Sequence, residues 1–185
     1  MIEYWDILDK DGNKTGKTMV RGKRSLSKGE YHLVVHIWVI NDKGEFLIQR
    51  RADTKPLMPG EWAATGGSAL AGEGSRHAAI RELYEELGVR AARRKMILVK
   101  RQLRKYSIND IYAVRCNIPA KRCVLQEDEV AEVKWVTKEQ LQKMVENGEY
   151  HNYGKSYFDI IYSIDEFLKR DKSYYFRKRS KNENR

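Results

Sequence analysis

The sequence predicts an α/β fold in which a mixed β-sheet is sandwiched between α-helices. Short runs of β-branched and aromatic residues recur along the chain, as in LVVHIWVI (Leu33 to Ile40) and FLIQRR (Phe46 to Arg51). Longer stretches, such as GKSYFDIIYSIDEFLKR, carry apolar residues at helical spacing. Turn signals, among them DKDGN, NDKGE and the prolines Pro56 and Pro59, separate the two kinds of segment.

The elements follow in order. EYWDIL (Glu3 to Leu8) reads as a strand, DKDGN as a turn and KTGKTMV as the return strand of a hairpin. LVVHIWVI reads as a central strand, and NDKGE turns the chain back into FLIQRR. RADTKPLMPGEW is loop, and WAATGG returns briefly to a strand. A helix follows through RELYEEL, with Gly88 as its stop and Val89 returning to the core. Strands are expected at MILVKRQL, IYAVRCNI and EVKWV (Glu132 to Val136), then a helix from Lys138 to about Asn147 with Thr137 as N-cap. One amphipathic helix closes the pattern, because Phe158, Ile161, Tyr162, Ile164, Phe167 and Leu168 share a face. Its role, covering a pocket or building a homodimer interface, is open.

The 185 residues fit one domain over 1–170, with a core at about 31–147, a C-terminal helix at about 154–170 and a basic, flexible tail at 171–185. Apolar residues are 41% and charged residues 34%, and the longest apolar run is too short to span a bilayer. The N-terminus is acidic where a signal peptide would be basic, so a cytoplasmic protein without a membrane segment is expected. Cys116 and Cys123 have neither CxxC spacing nor histidines at zinc-ligand spacing, and read as idle thiols. The net charge of +10 is concentrated in RAARRKMILVKRQLRK and RKRSKNENR. No aromatic residues are interleaved there as stacking platforms, so a solvated basic face is favoured over stable nucleic-acid binding. A small phosphorylated substrate would also be drawn by such a field.

Against that basic balance, GSALAGEGSRHAAIRELYEELGV (Gly67 to Val89) gathers Glu82, Glu85 and Glu86 in five residues. At about 100° per residue they fall within an arc of about 100°, with Ile80, Leu83, Tyr84 and Leu87 opposite. Three carboxylates so placed repel one another, whereas hard divalent cations such as Mg²⁺ or Mn²⁺ accept several carboxylate oxygens at once. Arg81 stands one turn before Glu85, at the spacing that orients it. Gly66, Gly67, Gly72 and Gly74 let the preceding backbone bend tightly and approach a metal.

The stretch resembles the Nudix box, GX5EX7REUXEEXGU with U aliphatic, in every defined position: Gly67, Glu73, Arg81, Glu82, Leu83, Glu85, Glu86, Gly88 and Val89. EFLIQRR before it, PGEWAATGG leading into it and VKWVTKEQL after it are also typical, so the resemblance covers roughly Leu33 to Met144. It implies the Nudix fold and a metal-dependent pyrophosphohydrolase acting on a nucleoside diphosphate linked to another group. It implies that Glu82, Glu85 and Glu86 hold Mg²⁺ or Mn²⁺, that the Gly66 carbonyl adds a ligand, that Glu73 supports the site and that Arg81 orients the glutamates. A further carboxylate from a later loop is expected, with Glu129 chosen ahead of Glu132 and Glu127. Glu85 or Glu82 is the candidate base. Arg50 and Arg51 are candidates for neutralising a non-reacting phosphate, the alternative being solubilising charges on an edge strand. Trp62, Trp38 and Tyr112 are candidates for base stacking, against a reading as core. His32 and His36 alternate on one strand and read as packing residues.

The N-terminal part, WDILDKDGNKTGKTMVRGKRSLSKGEYHLVVHIWVIN, is similar to isopentenyl diphosphate isomerases, which share the fold. Those enzymes use a cysteine before the box for proton transfer to carbon and depart from the complete REUXEE pattern. Here PGEWAATGG has no cysteine and REUXEE is intact, which favours hydrolysis. A non-catalytic nucleotide-binding module is the third reading, disfavoured because no box glutamate is lost. The box does not name the nucleotide derivative.

Overall fold

A computed structural model describes residues 2–22 and 26–170; the expected basic tail at 171–185 lies outside the described residues. The chain runs β1 (Tyr4–Leu8), β2 (Lys14–Val20), β3 (His32–Ile40), β4 (Phe46–Arg51), β5 (Trp62–Ala63), β6 (Thr65–Ser68), α1 (Ser75–Leu87), β7 (Ile97–Leu103), β8 (Ser107–Arg115), β9 (Val130–Val136), α2 (Lys138–Glu146), α3 (Lys155–Tyr162) and α4 (Ile164–Arg170). The α/β fold with a mixed sheet between helices is the one that forms.

β3 is its hub. It runs parallel to β8 from His32↔Ser107 to Ile40↔Arg115. Its other edge pairs antiparallel with β6 through Val34 to Ile37 and with β4 through Val39 and Ile40. β7 extends the sheet beyond β8, while β4 also pairs with β5 and β9. A parallel pair needs a long connection, and the one between β3 and β8 contains α1, which it lays on one face of the sheet. Successive side chains of a strand point to opposite faces, so β3 feeds two cores. Val35, Ile37 and Val39 pack with Leu83 and Leu87 of α1. Trp38 and Ile40 pack with Leu141 of α2, Phe158 of α3 and Leu168 of α4. Burial on both faces is why LVVHIWVI shows almost no polar alternation.

Local chemistry sets the ends of elements. Asn41 Oδ1 accepts from the amides of Lys43 and Glu45, and Gly44 takes φ 81° to close the β3–β4 turn. Thr137 caps α2 in a reciprocal capping box with Gln140. Gly88 ends α1 in the left-handed conformation at φ 66°. The hairpin of β1 and β2 forms its own two-stranded sheet, and Leu8 exchanges two backbone hydrogen bonds with Tyr31.

Two expectations are corrected. The single C-terminal helix is two, broken at Ser163, whose hydroxyl donates to the Ile160 carbonyl and competes with the helical ladder. Two short helices sharing one apolar side give the same spacing signal as one long helix. Phe158, Ile161, Ile164 and Leu168 are buried in the chain's own core, while Phe167 is 39% exposed. Tyr84, expected among the apolar residues of α1, is 46% exposed.

Candidate functional site

α1 does not present an acidic front opposite an apolar back. Its buried side comprises Ala78, Ala79, Leu83, Glu86 and Leu87, while Glu85 stays at the surface. The small side chains of Ala78 and Ala79 allow the helix close to the sheet. Beside it, β6 offers Gly66 and Gly67 in place of larger residues. A Cβ on Gly66 would lie 2.1 Å from the Val35 carbonyl oxygen, and one on Gly67 would lie 2.3 Å from Glu82 Oε1. The glycines are therefore required by the close approach of β3 on one side and of Glu82 on the other.

Glu86 is the most enclosed acid. It is 3% exposed and accepts hydrogen bonds from Gln49 Nε2 at 2.9 Å and from the Gly66 amide at 3.1 Å. Burial, then the charge of Glu82, pushes its pKa up to about 8, with Glu129 adding to the effect. Burial also raises the pKa of Glu82; the Arg81 charge opposes this, and Glu85 and Glu3 add to it.

Arg81 gathers the remaining carboxylates. Its Nε and Nη2 donate to the two oxygens of Glu73 at 3.1 and 2.9 Å, and Nη1 donates to Glu82 at 2.9 Å and to Glu85 at 2.8 Å. Nη2 also donates to the Ser68 carbonyl. The Glu85 contact is the one expected from the i,i+4 spacing. Glu73 is fixed from behind as well, accepting from the Leu70 amide at 3.0 Å.

Glu129 is half-buried in the turn before β9, ion-paired with Lys55, and its charge reaches Glu86. Glu127 and Glu132 are exposed, and Glu132 lies 3.8 Å from Arg50. Arg50 also donates to Asp53 at 3.0 Å, and Arg51 Nε donates to the Leu57 carbonyl. Both sit on β4 just beyond Gln49, where β5 and β9 flank the strand. Trp62 is half-buried, with Lys134 Nζ 4.0 Å from its ring centroid. Trp38 and Tyr112 are core residues rather than stacking platforms. His36 is half-buried with its ring nitrogen 2.8 Å from the Tyr157 hydroxyl, and His32 stacks on Trp5 at 4.3 Å.

Gln49, Lys55 and Tyr153 were not singled out from the sequence. Gln49 carried a signal, a polar residue inside the apolar run FLIQ. Tyr153, whose hydroxyl lies 3.4 Å from the Ala64 amide next to the site, carried none.

As placed, no group of three His, Cys, Asp or Glu residues among the described residues is set to share one ion; Arg81 is what holds Glu73, Glu82 and Glu85 together. The donor set nevertheless suits a hard divalent cation. Glu82 and Glu86 are two oxygen donors with raised proton affinity, a condition that a nearby cation relieves.

Comparison with known proteins identifies the family and the fold. A family model described as the NUDIX domain matches residues 30–155. An uncharacterised Nudix hydrolase of Listeria monocytogenes is 38% identical over 159 residues, covering 82% of this chain and 90% of the relative. An isopentenyl-diphosphate Delta-isomerase of Photorhabdus laumondii is 30% identical over 155 residues, covering 80% of this chain and 84% of the relative. Among solved structures, a Deinococcus radiodurans protein superposes with a TM-score of 0.71 at 20% identity, covering 86% of this chain and 97% of its own. With the box complete from Gly67 to Val89 and the mixed sheet in place around it, the chain belongs to the Nudix family.

Proposed function

We propose that this protein is a metal-dependent pyrophosphohydrolase that cleaves the diphosphate linkage of a nucleoside diphosphate derivative. The observation that carries the reading is the pair Glu82 and Glu86, turned inward on α1 with proton affinities raised by burial, that of Glu86 also by the charge of Glu82. Such a pair is costly without a cation to offset it. Glu82, Glu85 and Glu86 would hold Mg²⁺ or Mn²⁺, with the Gly66 carbonyl, Glu73 and Glu129 completing or supporting the site. When bound, the metal supplies charge neutralisation and an acidified water.

The chain's own residues do the rest. Gln49 and the Gly66 amide fix the rotamer of Glu86. Arg81 holds Glu73, Glu82 and Glu85 at set spacing, so that Glu85 or Glu82 can take a proton from the attacking water. Arg50 and Arg51, at the end of β4, neutralise the non-reacting phosphate once Arg50 exchanges its exposed Asp53 partner for substrate. Trp62 offers a ring face for the organic part of the substrate. We assign the functional unit to residues 1–170.

The similarity to an isomerase supports a second reading, conversion of isopentenyl diphosphate. It is disfavoured because residues 59–67, PGEWAATGG, contain no cysteine, and both cysteines follow β8. Incubation with Mg²⁺ and a panel of nucleoside diphosphate derivatives tests the two together. Released nucleoside monophosphate, lost in Glu85→Gln and Glu86→Gln, supports hydrolysis; conversion of isopentenyl diphosphate instead supports the isomerase. Nucleotide binding without turnover in any metal points to a binding module.

A further inference from the structure

The hairpin of β1 and β2 lies outside the residues that the family model matches, yet it is bonded directly to the loop that carries Glu73. The Tyr4 carbonyl accepts from the Ala71 amide at 2.7 Å. Asp6 Oδ2 accepts from the Gly72 amide at 2.8 Å and is itself held by Lys14 Nζ at 2.8 Å. The next residue is Glu73, which receives two hydrogen bonds from Arg81, the group that also holds Glu82 and Glu85.

The hairpin touches the same region at a second point. Its turn residue Gly12 lies so close to Arg101 that a Cβ there would be 2.8 Å from Nη1. Arg101 grips the buried Asp110 through two bonds of 2.7 and 2.8 Å, and Asp110 accepts from the Ser75 hydroxyl in the first turn of α1. The loop between β6 and α1 is thus tied at Ala71, Gly72 and Ser75. Gly72 and Gly74 would otherwise leave this loop with many conformers, and a carboxylate placed on it would have no fixed position. The strand also brings in Glu3, ion-paired with Arg21 at 2.8 Å, whose charge reaches Glu82.

We propose that the N-terminal hairpin positions the acidic loop: Asp6 fixes Gly72 and hence Glu73, and through Arg81 sets the spacing of Glu82 and Glu85 for a divalent cation. Asp6 is a positioning residue that touches neither cation nor substrate. The proposal rests on the metal reading of the site given above. A hairpin that merely covered a sheet edge would affect stability and leave cation affinity alone.

The test compares Asp6→Ala and Asp6→Asn with the unsubstituted protein. Mn²⁺ binding is followed by electron paramagnetic resonance, and amide hydrogen exchange is followed at Gly72 and Glu73 in metal-free protein. Loss of one charge-assisted hydrogen bond should weaken Mn²⁺ binding about tenfold in Asp6→Ala. Asp6→Asn, which keeps an oxygen acceptor for Gly72, should recover most of that loss. Exchange at Gly72 and Glu73 should quicken in Asp6→Ala. Unchanged Mn²⁺ affinity in Asp6→Ala, or an equal loss in Asp6→Asn, overturns the proposal. If the unsubstituted protein binds no Mn²⁺, the metal reading fails on its own. The exchange rates then decide the hairpin's role, quickened exchange supporting it and unchanged exchange overturning it.

Discussion

Gln49 donates its side-chain amide to the carboxylate of Glu86 at 2.9 Å, joining the interior of β4 to the last turn of α1. Neither group has appreciable access to water, at 0% and 3% exposure. The bond shows how this fold keeps an acid inside: an amide and one backbone N–H orient the carboxylate without neutralising it. That leaves a carboxylate whose charge is costly, and the consequences can be measured.

Glu86→Gln should stabilise the metal-free protein at pH 8. The folded pKa of about 8 lies above the ordinary 4.5, so between these values the native state holds a proton that the unfolded state has lost. Stability therefore falls as pH rises through this window, by on the order of 1 kcal/mol per pH unit. The glutamine variant lacks this slope and should melt a few degrees higher at pH 8, with little difference at pH 4.5. Thermal unfolding in chelator at the two pH values checks this; identical melting temperatures at pH 8 would refute it.

Arg81→Lys should cost roughly tenfold to a hundredfold in activity, because an ammonium cannot reproduce a planar fork that bonds three carboxylates at once. The fold should persist, since Leu83 and Leu87 still anchor α1. Steady-state kinetics on whichever nucleotide derivative proves active, beside circular dichroism, separates the two effects. A fully active lysine variant contradicts the role given to Arg81.

Gly67→Ala should displace Glu82. A Cβ there would stand 2.3 Å from Oε1 and 2.5 Å from Cδ, closer than any real contact. The Gly67 backbone is not in the left-handed region, so alanine itself meets no conformational penalty. Mn²⁺ affinity should fall at least about tenfold while stability changes by about 1 kcal/mol or less. Calorimetric titration with Mn²⁺ is the measurement, and unaltered affinity is the outcome that counts against the placement of Glu82.

His36 should contribute to acid unfolding. Burial, then the nearby charges of Arg104 and His151, lowers its pKa to about 3. The unfolded chain therefore takes up a proton near pH 6.5 that the native state refuses. The stability present above pH 6.5 is lost as pH falls toward 3, by on the order of 1 kcal/mol per unit. His36→Gln should flatten that limb of the pH–stability curve; urea midpoints at pH 7, 5.5 and 4 would show whether it does.

How much was legible in advance follows from the range of the forces involved. The capping box at Thr137, the left-handed stop at Gly88 and the Asn41–Gly44 turn depend on residues within four positions of one another, and all were readable. The box likewise announced its arginine–glutamate contact, because 81 and 85 share a helix face. The break at Ser163 was hidden, since two helices lying on one core repeat the spacing of a single helix.

The sequence by itself determined the element types, the family and which acids gather on α1. Only the tertiary structure decided that Glu86 is enclosed while Glu85 is not, that Glu129 rather than Glu132 stands near the site, and that Gln49 and Asp6 support it. The physical reason is that burial and hydrogen-bond partnership arise where distant segments meet. Gln49 lies 37 residues from Glu86 and Asp6 lies 66 from Gly72, and no local periodicity encodes such a meeting.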